Sequence, residues 1–76
     1  MNYMFFPDNN NSGALYYITK WYVSVGDKVH AGDTLLSYEA DKSVIDVISD
    51  YDGIVKEIYV QVEDVVSADS KICAIE

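Results

Sequence analysis

The sequence predicts an all-β domain, a sandwich or flattened barrel of short strands. Three observations lead there. Val, Ile and Tyr together supply 24 of the 76 residues, and these are the β-branched and aromatic types that suit a pleated surface. Leucine is confined to Leu15, Leu35 and Leu36, and no window holds a convincing helical stripe at i, i+3, i+4 and i+7. Turn pairs recur at short intervals: Pro7-Asp8, Asn11-Ser12-Gly13, Gly26-Asp27, Gly32-Asp33, Asp41-Lys42, Asp52-Gly53, Glu63-Asp64 and Asp69-Ser70.

These punctuation points delimit seven or eight strands, over residues 2–6, 15–23, 28–30, 34–40, 43–49, 54–62, 65–67 and 71–75. The first ends at Pro7, which has no N–H to donate. The second closes before Gly26-Asp27, and the third is squeezed between two Gly-Asp pairs. Residues 34–40 and 43–49 face each other across Asp41-Lys42. In 54–62 the alternation places Ile58, Val60 and Val62 on one face, with Tyr59 and Gln61 on the other. In 43–49 Val44 and Ile48 flank Asp46 on one face and Ile45 and Val47 occupy the other, so the pattern leaves the buried face open.

An internal repeat underlies these elements. A shift of 37 residues aligns Val23-Ser-Val-Gly-Asp-Lys-Val29-His-Ala31 with Val60-Gln-Val-Glu-Asp-Val-Val66-Ser-Ala68. Ile18, Trp21, Tyr22, Leu35, Tyr38 and Glu39 then meet Val55, Ile58, Tyr59, Ile72, Ile75 and Glu76. One copy is too small to bury a core alone, so the copies must interlock into one domain. Gly26 and Gly32 of the first copy become Glu63 and Asp69 in the second. A glycine at a tight turn marks a positive φ, which aspartate tolerates better than glutamate.

Composition narrows the function. A chain of 76 residues holds one domain, and 13 acidic against 5 basic residues, all lysine, give a net charge of -8. Nucleic acid and anionic membranes require a positive footprint, so neither is an expected partner. No stretch reaches the roughly 20 apolar residues of a membrane span. The apolar opening Met1 to Phe6 lacks the basic start of a signal or transit peptide. A bacterial-type cytoplasm is the expected location, or an organelle matrix if a targeting segment is removed. Cys73 is the sole cysteine, which excludes an internal disulfide and a cysteine-based zinc site.

The residues with chemical potential lie between the two copies. Glu39-Ala40-Asp41-Lys42-Ser43 separates two apolar β runs, which forces a hairpin with Asp41-Lys42 at its tip. The repeat suggests that this tip lies on the axis relating the halves. A lysine there projects a flexible four-carbon stem into water. On position alone it is an ordinary surface lysine.

The chain resembles the lipoyl domains of the acyltransferase component of 2-oxo acid dehydrogenase complexes, over essentially all 76 residues. The resemblance rests on Phe6-Pro7-Asp8; on Ile18, Trp21, Val23, Gly26-Asp27 and Val29; and on Gly32-Asp33 with Leu35. It continues with Glu39-Ala40-Asp41-Lys42-Ser43, then Gly53-Ile54-Val55, Ile58 and Val60. Ala40 stands where the family has threonine, Glu63 and Asp69 where it has glycines, and Asn9-Asn10-Asn11 where a glycine-rich stretch is usual.

The resemblance implies a flattened barrel of two four-stranded sheets, with lipoate joined covalently to Lys42 as a swinging arm. It implies a lipoyl-protein ligase or transferase as modifying enzyme. The working partners are a thiamine-dependent 2-oxo acid decarboxylase, the acyltransferase catalytic core and the flavin-containing dihydrolipoamide dehydrogenase. The domain is then a carrier and not itself an enzyme, with pyruvate the expected 2-oxo acid. Glu39, Ala40, Asp41 and Ser43 are candidate recognition residues, and Asp41 equally serves the turn. Asp8, Asn9 and Asn10 are further candidates in a loop near the hairpin. Gly26, Gly32 and Gly53 are expected as structural turns. The last strand ends beside Glu76, where a flexible linker would begin, so an N-terminal domain of a longer chain is expected.

Other residues carry blander readings. His30 has no second ligand or triad partner in the chain and reads as a surface residue. Cys73 sits among Ile72, Ala74 and Ile75 and reads as a buried, inert thiol. Trp21 and the tyrosines are expected to build the core and its rim. Asp46, Asp50 and Asp52 lack the spacing of a calcium loop and read as solvated edge charge, so no metal is expected. Two rival functions share the fold. A biotin carrier has methionines beside its lysine, whereas Asp41 and Ser43 stand here. An unmodified spacer module does not require Glu39-Ala40-Asp41-Lys42 at its tip. A free-standing enzyme lacks an acid, base and nucleophile set.

Overall fold

A computed structural model describes residues 1–7, 15–67 and 70–76. It contains β1 (Asn2–Phe5), β2 (Leu15–Trp21), β3 (Lys28–Val29), β4 (Thr34–Ala40), β5 (Ser43–Ile48), β6 (Gly53–Ile58), β7 (Val65–Ser67) and β8 (Lys71–Ile75). They form two four-stranded sheets, ordered β1-β8-β6-β3 and β5-β4-β2-β7. Every pairing is antiparallel. The fold is the flattened all-β sandwich that the resemblance implies.

The repeat is built into the strand order. Replacing β5, β4, β2 and β7 by β1, β8, β6 and β3 turns one sheet into the other. Each copy gives two strands to each sheet, so neither copy closes a sheet without the other. The correspondence extends to single hydrogen bonds. Gly26 N–H donates to Val55 O and Glu63 N–H to Ile18 O, both at 2.8 Å. Asp27 and Asp64 each accept the backbone N–H three residues upstream, from Ser24 and Gln61, at 2.8 Å. Tyr22 and Tyr59 donate their N–H groups to Leu35 O and Ile72 O.

The same mapping corrects one expectation. The equivalent of the β4–β5 hairpin is the place where β8 pairs with β1, at Asn2 opposite Ile75. An element with a distinct symmetry mate cannot lie on the axis, so the Lys42 tip lies off it.

Between the sheets lie Ile18, Leu35, Leu36, Val55, Ile72 and Ile75, with no exposed surface. Full burial of each such side chain is worth about 1.5–3 kcal/mol. Phe6, Tyr16 and Tyr38 form an aromatic cluster with centroids 4.7 to 5.7 Å apart. Tyr16 places its hydroxyl on Pro7 O at 3.1 Å, so the buried phenol keeps a partner. Trp21 is half-buried, and its indole N–H donates to Val60 O at 2.9 Å. The tyrosines divide: Tyr16 and Tyr38 are core, Tyr51 is half-buried against it, and Tyr3, Tyr17, Tyr22 and Tyr59 are exposed.

Two strand boundaries move by more than one residue. β2 ends at Trp21 and β6 at Ile58, because the chain turns away where Asp27 and Asp64 capture backbone N–H groups upstream. The predicted alternation through residue 62 therefore fails at Val62, which is exposed in the turn while Val60 is buried. The open face of β5 is settled by register. Ile45 lies opposite Tyr38 of the core and Val47 is buried, so Val44 and Asp46 face outward.

Candidate functional site

The β4–β5 hairpin is registered by six residue pairs, from Thr34 opposite Ile48 to Ala40 opposite Ser43. That leaves a two-residue connection, Asp41-Lys42. Their φ angles are +50° and +67°. Positive φ at both central residues marks the type I′ turn, whose twist matches the twist of the flanking strands. Asn-Gly is the favoured pair for this turn, because most side chains resist the left-handed region. Asp41 tolerates it well. Lys42 does so against a steric cost of about 1 kcal/mol, which the paired strands on either side offset.

The tip residues are placed in different ways. Asp41, Lys42 and Ser43 are exposed, while Ala40 is half-buried and packs on the core. Glu39 is exposed on the outward face, opposite Val44 on one side and Tyr17 on the other. Among the described residues no carboxylate lies in salt-bridge range of Lys42; the pair within range is His30 Nδ1 and Asp52 Oδ1 at 3.8 Å. Asp8, Asn9 and Asn10 lie outside the described residues.

The three turn glycines serve two purposes. Gly26 and Gly32 have φ of +98° and +100°, with open space where a Cβ would stand. At Gly53 the constraint is contact: a Cβ would come within 2.6 Å of Glu76 O and 3.0 Å of Ile75 Cγ2. Glu63, at the position equivalent to Gly26, has φ of +77°.

Residues outside the tip perform structural work. Ser37, buried in β4, lies 2.6 Å from Asp46 Oδ1 and 3.2 Å from the Tyr22 hydroxyl. A hydroxyl has one hydrogen, so Ser37 donates to the carboxylate and receives from the phenol. This network escapes sequence reasoning; its one trace is an acid inside the apolar run Val44 to Ile48. Asp52 accepts the Ala31 N–H at 2.8 Å, so it clamps a turn instead of merely bearing edge charge. Among the described residues no three His, Cys, Asp or Glu side chains are grouped to hold a metal. Cys73 is fully buried, and burial pushes its thiol up to about 11, which leaves it protonated and unreactive at neutral pH.

The site is thus an exposed lysine on a two-residue hairpin tip between two interlocked half-domains. The family model described as biotin-requiring enzyme, covering biotin and lipoyl attachment, matches residues 6–75. The chain belongs to this family.

Individual relatives narrow the class. The mouse lipoamide acyltransferase component of the branched-chain α-keto acid dehydrogenase complex is 35% identical over 48 residues, 63% of this chain and 10% of the relative. The succinyltransferase component of the 2-oxoglutarate dehydrogenase complex of Buchnera aphidicola is 36% identical over 52 residues, 68% of this chain and 12% of the relative. The acetyltransferase component of the pyruvate dehydrogenase complex of Staphylococcus aureus is 39% identical over 44 residues, 58% of this chain and 10% of the relative. The chain thus spans about a tenth of the length of these curated relatives. The last two are named for a dihydrolipoyllysine residue, a lysine bearing the reduced lipoyl group.

Proposed function

We propose that this domain is the lipoyl carrier of a 2-oxo acid dehydrogenase complex, with lipoate joined to Lys42 through an amide. The observation that carries this reading is Lys42 itself, exposed at φ +67° on a two-residue tip. A glycine would fit that backbone better, so the lysine is present for its amine. The domain positions the amine and presents a shape. In modification the Nζ nitrogen attacks an activated lipoyl carboxyl carbon. A C–N bond forms, the C–O bond to the leaving group breaks, and the amine proton passes to water. The joined dithiolane supplies the capacity to accept an acyl group and an electron pair.

The rigid hairpin lets several enzymes address one point, and the tether raises the local concentration of the carried group at each. The expected visitors are a lipoyl-protein ligase or transferase, a thiamine-dependent decarboxylase, the acyltransferase core and dihydrolipoamide dehydrogenase. Asp41 and Ser43 beside Lys42, in place of methionines, support lipoate over biotin.

Within this class we propose pyruvate as the 2-oxo acid; relatives named for the pyruvate, 2-oxoglutarate and branched-chain complexes are 39%, 36% and 35% identical over 44, 52 and 48 residues, so the choice among them rests on the experiment. The test offers the lipoylated domain to the decarboxylases for pyruvate, 2-oxoglutarate and branched-chain 2-oxo acids, each with its substrate. An acetyl mass increment appearing fastest with the pyruvate enzyme is expected. Faster loading by another decarboxylase reassigns the substrate, and loading by none rejects the carrier role.

A further inference from the structure

The outward face of the β5-β4-β2-β7 sheet carries an apolar row beside the Lys42 tip. Register defines it. Val65 lies opposite Tyr17, Tyr17 opposite Glu39, and Glu39 opposite Val44. Opposed residues of an antiparallel sheet share a face, and Leu15 joins that face two residues before Tyr17. The neighbouring register, Ile18 opposite Tyr38, faces the core. Leu15, Val44, Val65 and Tyr17 remain 63%, 64%, 59% and 43% exposed. Isolated apolar residues on a surface need no explanation, but four on one face at one end of a sheet form a patch.

We propose that this row is the resting place of the arm attached at Lys42. The inference rests on the carrier reading above and adds a binding site to it. Three features select this occupant. The attachment point, in the turn, lies two residues before Val44 of β5, about 7 Å along the chain. Strands spaced by about 4.8 Å put Tyr17 about 10 Å and Val65 about 14 Å across the sheet from Val44. An extended lysine plus eight-carbon acid reaches about 14 Å from Cα to the ring, on bonds of about 1.5 Å in zigzag. The chemistry also matches: acylation removes the lysine charge and leaves a hydrocarbon stem with an apolar dithiolane. Glu39 interrupts the row, which orients the stem along Leu15, Tyr17 and Val65, with Val44 at the near edge. Docking of this kind is intramolecular, so weak contact suffices to populate it.

The experiment compares the domain before and after lipoylation by NMR, with methyl-labelled Leu and Val and intact mass recorded on the same sample. Expected are nuclear Overhauser contacts from the arm methylenes to the Leu15, Val44 and Val65 methyls and to the Tyr17 ring. Tyr17→Ser should lose the Leu15 and Val65 contacts while the Leu35 and Leu36 methyl shifts stay in place, showing an intact core. A loaded domain whose shifts change only from Asp41 to Ser43, with no contact to the row, overturns the docking site and leaves the carrier reading standing. A domain that gains no lipoyl mass overturns both. If the same methyls shift in the unmodified domain as its concentration rises, a second copy covers the row and the arm does not.

Discussion

Among the described residues three non-glycine residues have positive φ: Asp41, Lys42 and Glu63. At Glu63 and Lys42 side-chain identity and backbone preference disagree. Glu63 occupies the turn position that Gly26 fills in the other copy, with its carboxylate exposed. Glu63→Gly should therefore stabilise the domain by a few tenths to about 1 kcal/mol, read from urea melts at constant m. At Lys42 the same relief is available, and Lys42→Gly should also raise stability by about 0.5–1 kcal/mol. That variant should at the same time lose all capacity for modification. A melt in which Lys42→Gly is destabilising would mean that the lysine contributes to the fold and is not held there at a cost.

At the scale of elements, the strands matter less than the turns that stop them. Asp27 and Asp64 sit 37 residues apart and make the same hydrogen bond to the backbone three residues upstream, at 2.8 Å in both copies. Asp27→Ala and Asp64→Ala should each cost about 1 kcal/mol, because each frees one charge-assisted bond at an exposed turn. Asn in place of either should recover part of the loss, since its carbonyl still accepts. Equal effects in thermal melts would support equivalence of the copies, whereas a loss at one site alone would refute it.

These turns, the hairpin and its lysine were legible because turn chemistry is local and the repeat states it twice. The buried face of β5 was not, since Val44, Ile45, Val47 and Ile48 are all apolar and only the Tyr38–Ile45 register separates inside from outside. The Ser37–Asp46–Tyr22 network joins three strand or turn segments and has no sequence spacing to betray it. The close approach of Gly53 to Glu76 is likewise a long-range contact that one sequence does not reveal.

For the molecule as a whole, burial of one thiol sets an alkaline limit. Cys73 is raised from about 9 to about 11 by desolvation. A folded value above the unfolded one means that the folded state holds the proton longer. The associated stability is complete below about pH 9 and declines toward pH 11, by about 2–3 kcal/mol in total. Tyr38 is raised in the same sense, by burial first and Tyr16 second, so it adds to the decline once its ordinary range is passed. Cys73→Val should remove the part of the slope that begins near pH 9, read from urea midpoints across the alkaline range. Persistence of that slope in the variant would assign it elsewhere.

We propose Lys42 as the point of attachment. The most direct test is intact mass after incubation of the domain with lipoate, ATP and a lipoyl-protein ligase, beside a biotin ligase reaction and a Lys42→Ala control. A single lipoyl increment that disappears in Lys42→Ala is expected, with no biotin added. An increment that survives the substitution, a biotin increment, or no increment with either ligase would contradict attachment of lipoate at Lys42.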